Sequence, residues 1–253
     1  MRVALLQYPI AWANKEDNLK VTVARLRDLK GLADVAVLPE MFTTGFATDR
    51  PDLAETTDGK TITTLQAVAD ECDLMIVGSF ICKERDRLYN RGFFIRGNGE
   101  KAVFVDKKHL YAHGGEDKFF TAGTTKPTIE YKGVKFRLAI CYDLRFPIWL
   151  RQDKNNLYDI LIVCANWPQC RINYWDVLVP ARATENQCYI AAVNVVGEDN
   201  KGLHFNGHSI AYDSHLQPLV QFADDETGTK IANFDIKALH HFREVLPLYR
   251  DAD

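Results

Sequence analysis

Three reactive side chains in this chain each follow directly on an apolar run. In Val35-Ala36-Val37-Leu38-Pro39-Glu40 a carboxylate emerges beside a proline. Leaving water disfavours its charged form, and such a group serves first as base and then as acid. The competing reading of Glu40 is a side chain that caps the next turn. In Val103-Phe104-Val105-Asp106-Lys107-Lys108-His109-Leu110 a lysine ends the run, where a fixed positive charge would stabilise an oxyanion. Against that, a Lys-Lys pair is more often solvated surface than site. In Leu138-Ala139-Ile140-Cys141-Tyr142-Asp143-Leu144-Arg145-Phe146-Pro147 a thiol ends an alternating segment, and Pro147 suits the first position of a helix. Backbone N–H donors and positive charge at such a turn favour thiolate. The competing reading is a buried cysteine acting as a small hydrophobe. Each signal is modest alone; together they supply a base, a cation and a nucleophile.

Strand ends are where α/β folds place their active sites, so the elements carrying these residues matter. Val3 to Gln7 reads as a buried strand, and Asn14 caps a helix expected to run to about Leu32. Val35 to Leu38 is wholly apolar, as for a central strand covered on both faces. A helix fits Thr61 to Glu71 and a strand Leu74 to Ser79. Leu88 to Ile95 and Lys101 to Asp106 flank Gly97-Asn98-Gly99, a strong hairpin signal. Val134 to Ile140 alternates with Lys135 and Arg137. Further strands fit Ile160 to Cys164, Tyr189 to Val195, His208 to Tyr212 and Thr229 to Asp235. A helix at Tyr174 to Asn186 carries Trp175, Leu178 and Arg182, with Pro180 expected to kink or break it. Strands and helices alternate and then strands dominate, which indicates an α/β protein with a mixed sheet. With no repeat or linker, residues 1–253 are expected to form one domain, the last dozen, with His240-His241, being a C-terminal extension.

Bulk properties narrow the partners. The charge of −3 comes from 31 basic and 34 acidic residues without long blocks, which gives no footprint for nucleic acid or an anionic membrane surface. No apolar stretch approaches the roughly 20 residues that span a bilayer. No signal peptide is visible, and the six cysteines form no C-x-x-C pair, so a cytoplasmic protein with reduced thiols is expected.

The motifs resemble those of the nitrilase, or carbon–nitrogen hydrolase, superfamily. Glu40 lies in Leu-Pro-Glu-Met-Phe, Lys107 in Lys-Lys-His-Leu and Cys141 in Ile-Cys-Tyr-Asp-Leu-Arg-Phe-Pro. The match continues through Ala165-Asn166-Trp167-Pro168 and Ala181-Arg182-Ala183-Thr184-Glu185-Asn186-Gln187. Pro39 to Phe46 and Ala-Asn-Trp-Pro look like the ω-amidase branch, whose members deamidate α-keto acid amides such as 2-oxoglutaramate and 2-oxosuccinamate. The resemblance implies that Cys141 attacks an amide carbonyl, Glu40 moves the proton, and Lys107 with the Tyr142 backbone N–H holds the oxyanion. Lys107 rather than Lys108 fits the pattern Lys-x-His-Leu. A second glutamate, matched by Glu116, would position Lys107 or the substrate. The resemblance also implies a four-layer α-β-β-α sandwich, a small-molecule amide substrate, no cofactor or metal, and a homodimer or higher homo-oligomer. Tyr174 to Gln187 is the candidate docking face, with Trp175 and Leu178 as its apolar stripe, and ordinary core packing as the alternative.

A keto acid amide carries a carboxylate, for which a bidentate arginine is the natural partner. Arg145 and Arg171 are the candidates, with an Asp143 ion pair as the alternative for Arg145 and solvent exposure for Arg171. Phe42, Phe46 and Trp167 are candidates for an apolar wall. Rival readings are a nitrilase, an N-carbamoyl amidohydrolase, an aliphatic amidase, a non-catalytic protein on the same fold, or a metal hydrolase using His204 and His208 with Cys164 and Cys170. The last has no recognisable ligand spacing.

Overall fold

Strands that are apolar on both faces need cover on both faces, and the pleat sends alternate residues to each. The computed structural model describes residues 1–251; the last two residues of the expected C-terminal extension, 252 and 253, lie outside the described residues. Strand β1 (Arg2–Gln7) leads to helix α1 (Lys15–Arg27), whose Asn14 cap accepts from the Asp17 N–H. Then come β2 (Val35–Val37), α2 (Lys60–Cys72), β3 (Met75–Glu84), β4 (Arg87–Arg96) and β5 (Val103–Asp106). A second series follows: β6 (Ile129–Tyr131), β7 (Val134–Ile140), the short helix α3 (Pro147–Leu150), β8 (Ile160–Cys164), α4 (Ile172–Asn186) and β9 (Tyr189–Val193). The chain continues with β10 (Val196–Glu198), β11 (His204–Asn206), β12 (Ile210–Tyr212), β13 (Pro218–Gln221), β14 (Gly228–Asn233) and α5 (Ile236–Val245).

Two six-stranded mixed sheets result, in the orders β14-β1-β2-β3-β4-β5 and β13-β12-β9-β8-β7-β6. Within them β1, β2 and β3 run parallel, as do β7, β8 and β9. Alternation sorts each strand between layers. Val3, Leu5, Val35 and Val37 meet Phe136, Leu138, Ile160 and Ile162 between the sheets. Ala4, Leu6, Ala36 and Ile76 face the helix layer, packing with Leu26 of α1 and Leu65 of α2. On the far side Ala139, Leu161 and Val163 pack with Trp175, Val179 and Ala183 of α4. The arrangement is the α-β-β-α sandwich that the resemblance implied.

Several elements differ from expectation. Helix α4 is not broken at Pro180, which lies inside the single helix Ile172–Asn186. Trp175 is fully buried, so it belongs to the core; the exposed apolar residues of α4 are Tyr174 and Val177, and Ile148 of α3 is exposed as well. The strand expected to reach Asp235 stops at Asn233, and Asp235 caps α5 by accepting from the Ala238 N–H. Helix α5 is tied to the body of the chain. Its buried Arg243 donates to the carbonyls of Gln187 and Tyr158 and pairs with Asp159 at 3.0 Å. Among the described residues no helix is long and apolar enough to cross a membrane.

Candidate active site

The C-terminal ends of β2, β5 and β7 lie along one edge of the sandwich and deliver Glu40, Lys107 and Cys141 to one point. The placing of Lys107 begins with backbone: its N–H donates to the Asn90 carbonyl on β4, and its carbonyl accepts from Gly123. Gly123 packs so closely on the Asp106 carbonyl that a Cβ there would overlap it, which is why glycine stands at that position. Cys141 follows β7 with φ +47°, a left-handed value that costs a non-glycine residue about 1–3 kcal/mol. The tight turn Cys141–Arg145 that follows is tied down from two sides. Asp143 accepts from the Ile140 N–H at 3.3 Å and from the His109 N–H at 2.9 Å, and also contacts His109 Nδ1 at 2.8 Å. Buried Arg182 of α4 donates to the Leu144 carbonyl at 2.9 Å. The His109 ring stacks on Phe146.

Glu40 and Lys107 are fully buried and bonded at 2.9 Å, and Lys107 bonds Glu116, equally buried, at 2.9 Å. Glu116 also accepts from the Tyr111 N–H at 2.7 Å. It faces Lys107 and does not line the cavity. Glu40 Oε2 accepts from the Asn166 N–H at 2.9 Å, and Asn166 Nδ2 donates to the Glu40 carbonyl at 2.6 Å. These bonds clamp the second sheet to the first. The Cys141 sulfur lies 4.0 Å from the Asn166 carbonyl and beside the Glu40 carboxylate.

Two carboxylates thus face one ammonium. Burial alone would lower the Lys107 pKa, but Glu116 and Glu40 outweigh it and hold the ammonium well above its usual range. The Cys141 thiol is pushed well above its ordinary value by burial and by the Glu40 charge, with Lys107 opposing. Burial first, and the Glu40 charge second, thus oppose the thiolate that the turn geometry favours. The thiol loses its proton only when a base takes it, and Glu40 is in reach.

A cavity of about 320 Å³ opens onto Cys141 and Lys107. Trp167, Arg145 and Arg171 line it, as does Phe46. Phe42 does not: it is fully buried edge-on to Phe93, because its backbone N–H is tied to Ser79 on β3 and its ring joins the core under the helices. The Arg145 guanidinium lies over the rings of Trp167 at 4.9 Å and Tyr174 at 4.8 Å. It makes no ion pair with Asp143, which is engaged by His109. Arg171 lies over the Tyr111 ring at 5.5 Å. The hairpin β10–β11 contributes Lys201, Leu203 and Phe205 to the rim. Asn90, bonded to both carboxylates, has no role assigned from sequence, although an amide inside the expected strand Leu88 to Ile95 was a signal for it.

His204 and His208 do not converge on an ion. His208 lies between Asp176 and Asp224, His204 pairs with Asp225 at 2.9 Å, Cys164 is in the core and Cys170 is exposed. Among the described residues no three His, Cys, Asp or Glu side chains gather as a metal site would require.

Comparison with known proteins places the chain in a family. The family model described as carbon–nitrogen hydrolase matches residues 2–244. The chain is 35% identical to the ω-amidase YafV of Escherichia coli (strain K12) over 254 residues, covering 100% of this chain and 97% of the relative. It is 32% identical to the 2-oxoglutaramate amidase of Bacillus subtilis (strain 168), covering 98% and 96%. A crystal structure of a CN-hydrolase superfamily protein from Xanthomonas campestris, with an arsenic adduct in its active site, superposes with TM-score 0.94 at 33% identity, covering 100% and 97%.

Proposed function

Because the chain belongs to the carbon–nitrogen hydrolase family, we propose that it is an amidase of the ω-amidase type, releasing ammonia from a small α-keto acid amide. The observation that carries this reading is the buried Glu40–Lys107–Glu116 cluster behind Cys141, at the floor of a cavity that two arginines line.

Glu40 takes the thiol proton as sulfur attacks the amide carbonyl. The oxyanion forms between the Lys107 ammonium and the Tyr142 N–H, which lies in the first turn after the strand, where backbone donors lack internal partners. Glu40 passes its proton to nitrogen, the carbon–nitrogen bond breaks, and ammonia leaves a Cys141 thioester. Water, deprotonated by Glu40, attacks that thioester; the acid departs and sulfur recovers its proton. Glu116 holds Lys107 in place. No step calls for a metal or cofactor.

The α-carboxylate of the substrate pairs with Arg145 or Arg171, whose guanidiniums lie on aromatic faces and carry no acid partner among the described residues. Phe46 and Trp167 give the apolar wall. In this reading the enzyme works in the cytoplasm as a homodimer or higher homo-oligomer, a second copy covering Ile148, Tyr174 and Val177, which are 89%, 50% and 66% exposed.

Ammonia release from 2-oxosuccinamate and 2-oxoglutaramate, compared with succinamate, glutamine and a simple nitrile, tests the proposal. Fast release from the keto amides, lost in Cys141→Ala, is expected. Preference for the nitrile, or no release from any of the five, would refute the substrate assignment.

A further inference from the structure

Asn90 stands within β4, 1% exposed, and no step above uses it. Its side-chain nitrogen donates to Glu40 Oε1 at 2.8 Å and to Glu116 Oε1 at 2.9 Å. Its backbone carbonyl accepts the Lys107 N–H at 2.9 Å. One residue therefore touches both carboxylates and the backbone of the lysine between them. Its Oδ1 is buried and accepts from no donor among the described residues. Two carboxylates claim both N–H bonds of the amide, and turning the oxygen toward them would set three acceptors against one another. An empty buried acceptor is unfavourable, so the two donated bonds must outweigh it.

Lone pairs on Glu40 are unequally used. Oε1 accepts from Asn90 and from Lys107 Nζ, at 2.8 and 2.9 Å. Oε2 accepts from the Asn166 N–H alone, at 2.9 Å. The sulfur lies 4.0 Å from the carbonyl of Asn166, the residue whose N–H meets Oε2.

We infer that Asn90 is a positioning residue for the proton transfer: by donating to Glu40 and Glu116 together, it keeps both as acceptors beside a single ammonium and leaves Glu40 Oε2 to take the thiol proton. This rests on the amidase reading above. The residue type follows from the task. Aspartate would add a third carboxylate to a cluster with one cation, leucine would leave both carboxylates a donor short, and glutamine is a methylene too long for the gap.

The test is the pH profile of Asn90→Leu and Asn90→Asp, read by kcat/KM for amide hydrolysis and by iodoacetamide alkylation of Cys141. The exposed Cys170 is first replaced in Cys170→Ser. Alkylation needs no substrate but draws on the same transfer to Glu40, so it decides the role of Asn90 even if no amide proves to be hydrolysed. The acid limb of both profiles is expected to move upward by about one pH unit in each variant, since a charge-assisted donor to the carboxylates is gone. Asn90→Asp is isosteric and neutral when protonated, so it stays folded in acid even where Asn90→Leu does not. Acid limbs that superimpose on those of the wild type, with only the plateau lowered, would reduce Asn90 to packing and overturn the inference.

Discussion

Replacing Lys107 with methionine keeps most of the side-chain volume and removes the charge. In the wild type the ammonium is fully buried between Glu40 and Glu116, each 2.9 Å away. Its loss leaves two buried carboxylates facing each other with only neutral donors. Breaking a buried pair in this way costs about 3–5 kcal/mol. For a chain of this size that lowers the melting temperature by roughly 6–20 °C. The deficit depends on pH with a definite sign. Lys107 has a raised pKa, so its contribution in the wild type is complete below about 10.5, the ordinary value, and is lost only as pH rises through the higher folded value. Between pH 5 and 9 the wild type is therefore unaffected by this group. In the variant the stranded carboxylates relax by taking up a proton, so the gap narrows toward pH 5 and widens toward pH 9. Removing the oxyanion charge also lowers kcat by about 10²–10³-fold or more. Lys108→Met is the control: Lys108 is half-buried with its ammonium 5.6 Å from the Trp149 ring, a contact of about 0.5–1 kcal/mol. Differential scanning fluorimetry from pH 5 to 9, with ammonia release at each pH, reads both effects. A Lys107→Met protein that melts with the wild type at pH 8, or keeps a tenth of its kcat, would refute the reasoning.

Three further outcomes are expected. Phe42→Ala costs about 3–5 kcal/mol by leaving a cavity under the helices, with KM near the wild-type value; Phe46→Ala, at the cavity wall, raises KM with a smaller loss of stability. Thermal melts and initial rates separate the two. His208 is pulled down by burial but raised overall by Asp176 and Asp224. Its contribution is therefore complete below the ordinary value of 6.5 and fades as pH rises through the folded value. His208→Gln should melt below the wild type at pH 5.5, by an amount worth about 0.5–1 kcal/mol after solvent screening, and match it at pH 9. Arg243→Met breaks a buried pair with Asp159 and two bonds to carbonyls, so urea titration should show a loss of about 3–5 kcal/mol with unchanged KM.

The reactive residues were legible because each ends an apolar strand, a pattern local in sequence. Glu40, Lys107 and Cys141 could be picked out from the runs before them, and Glu116 from the motif around it. What holds them was not legible, since it is made across the chain. Asn90 lies 50 residues from Glu40, and Asn166 lies 126 residues from it on the other sheet. Long-range contact also decided the wrong expectations. The strand-to-helix turn at Cys141 favours thiolate locally, while the burial and the Glu40 charge that oppose it come from distant segments. Phe42 and Phe46 are both aromatic neighbours of Glu40, and only the packing against Phe93 shows which of them is core. Trp175 looked like an apolar stripe for a partner, whereas α4 turns it inward and leaves Tyr174 and Val177 outside. The short strands β6 and β13 have three and four residues, too few for a periodic signal.

The central claim, that Cys141 carries the acyl group of the substrate, is tested most directly by mass spectrometry. Wild-type protein is mixed with excess 2-oxosuccinamate, quenched in acid during turnover, digested and mapped. The account predicts one acyl adduct, on the peptide containing Cys141, lighter than the intact amide by one ammonia and absent from Cys141→Ala. Steady ammonia release with no adduct on any cysteine, or an adduct on Cys170 with Cys141 unmodified, would contradict it.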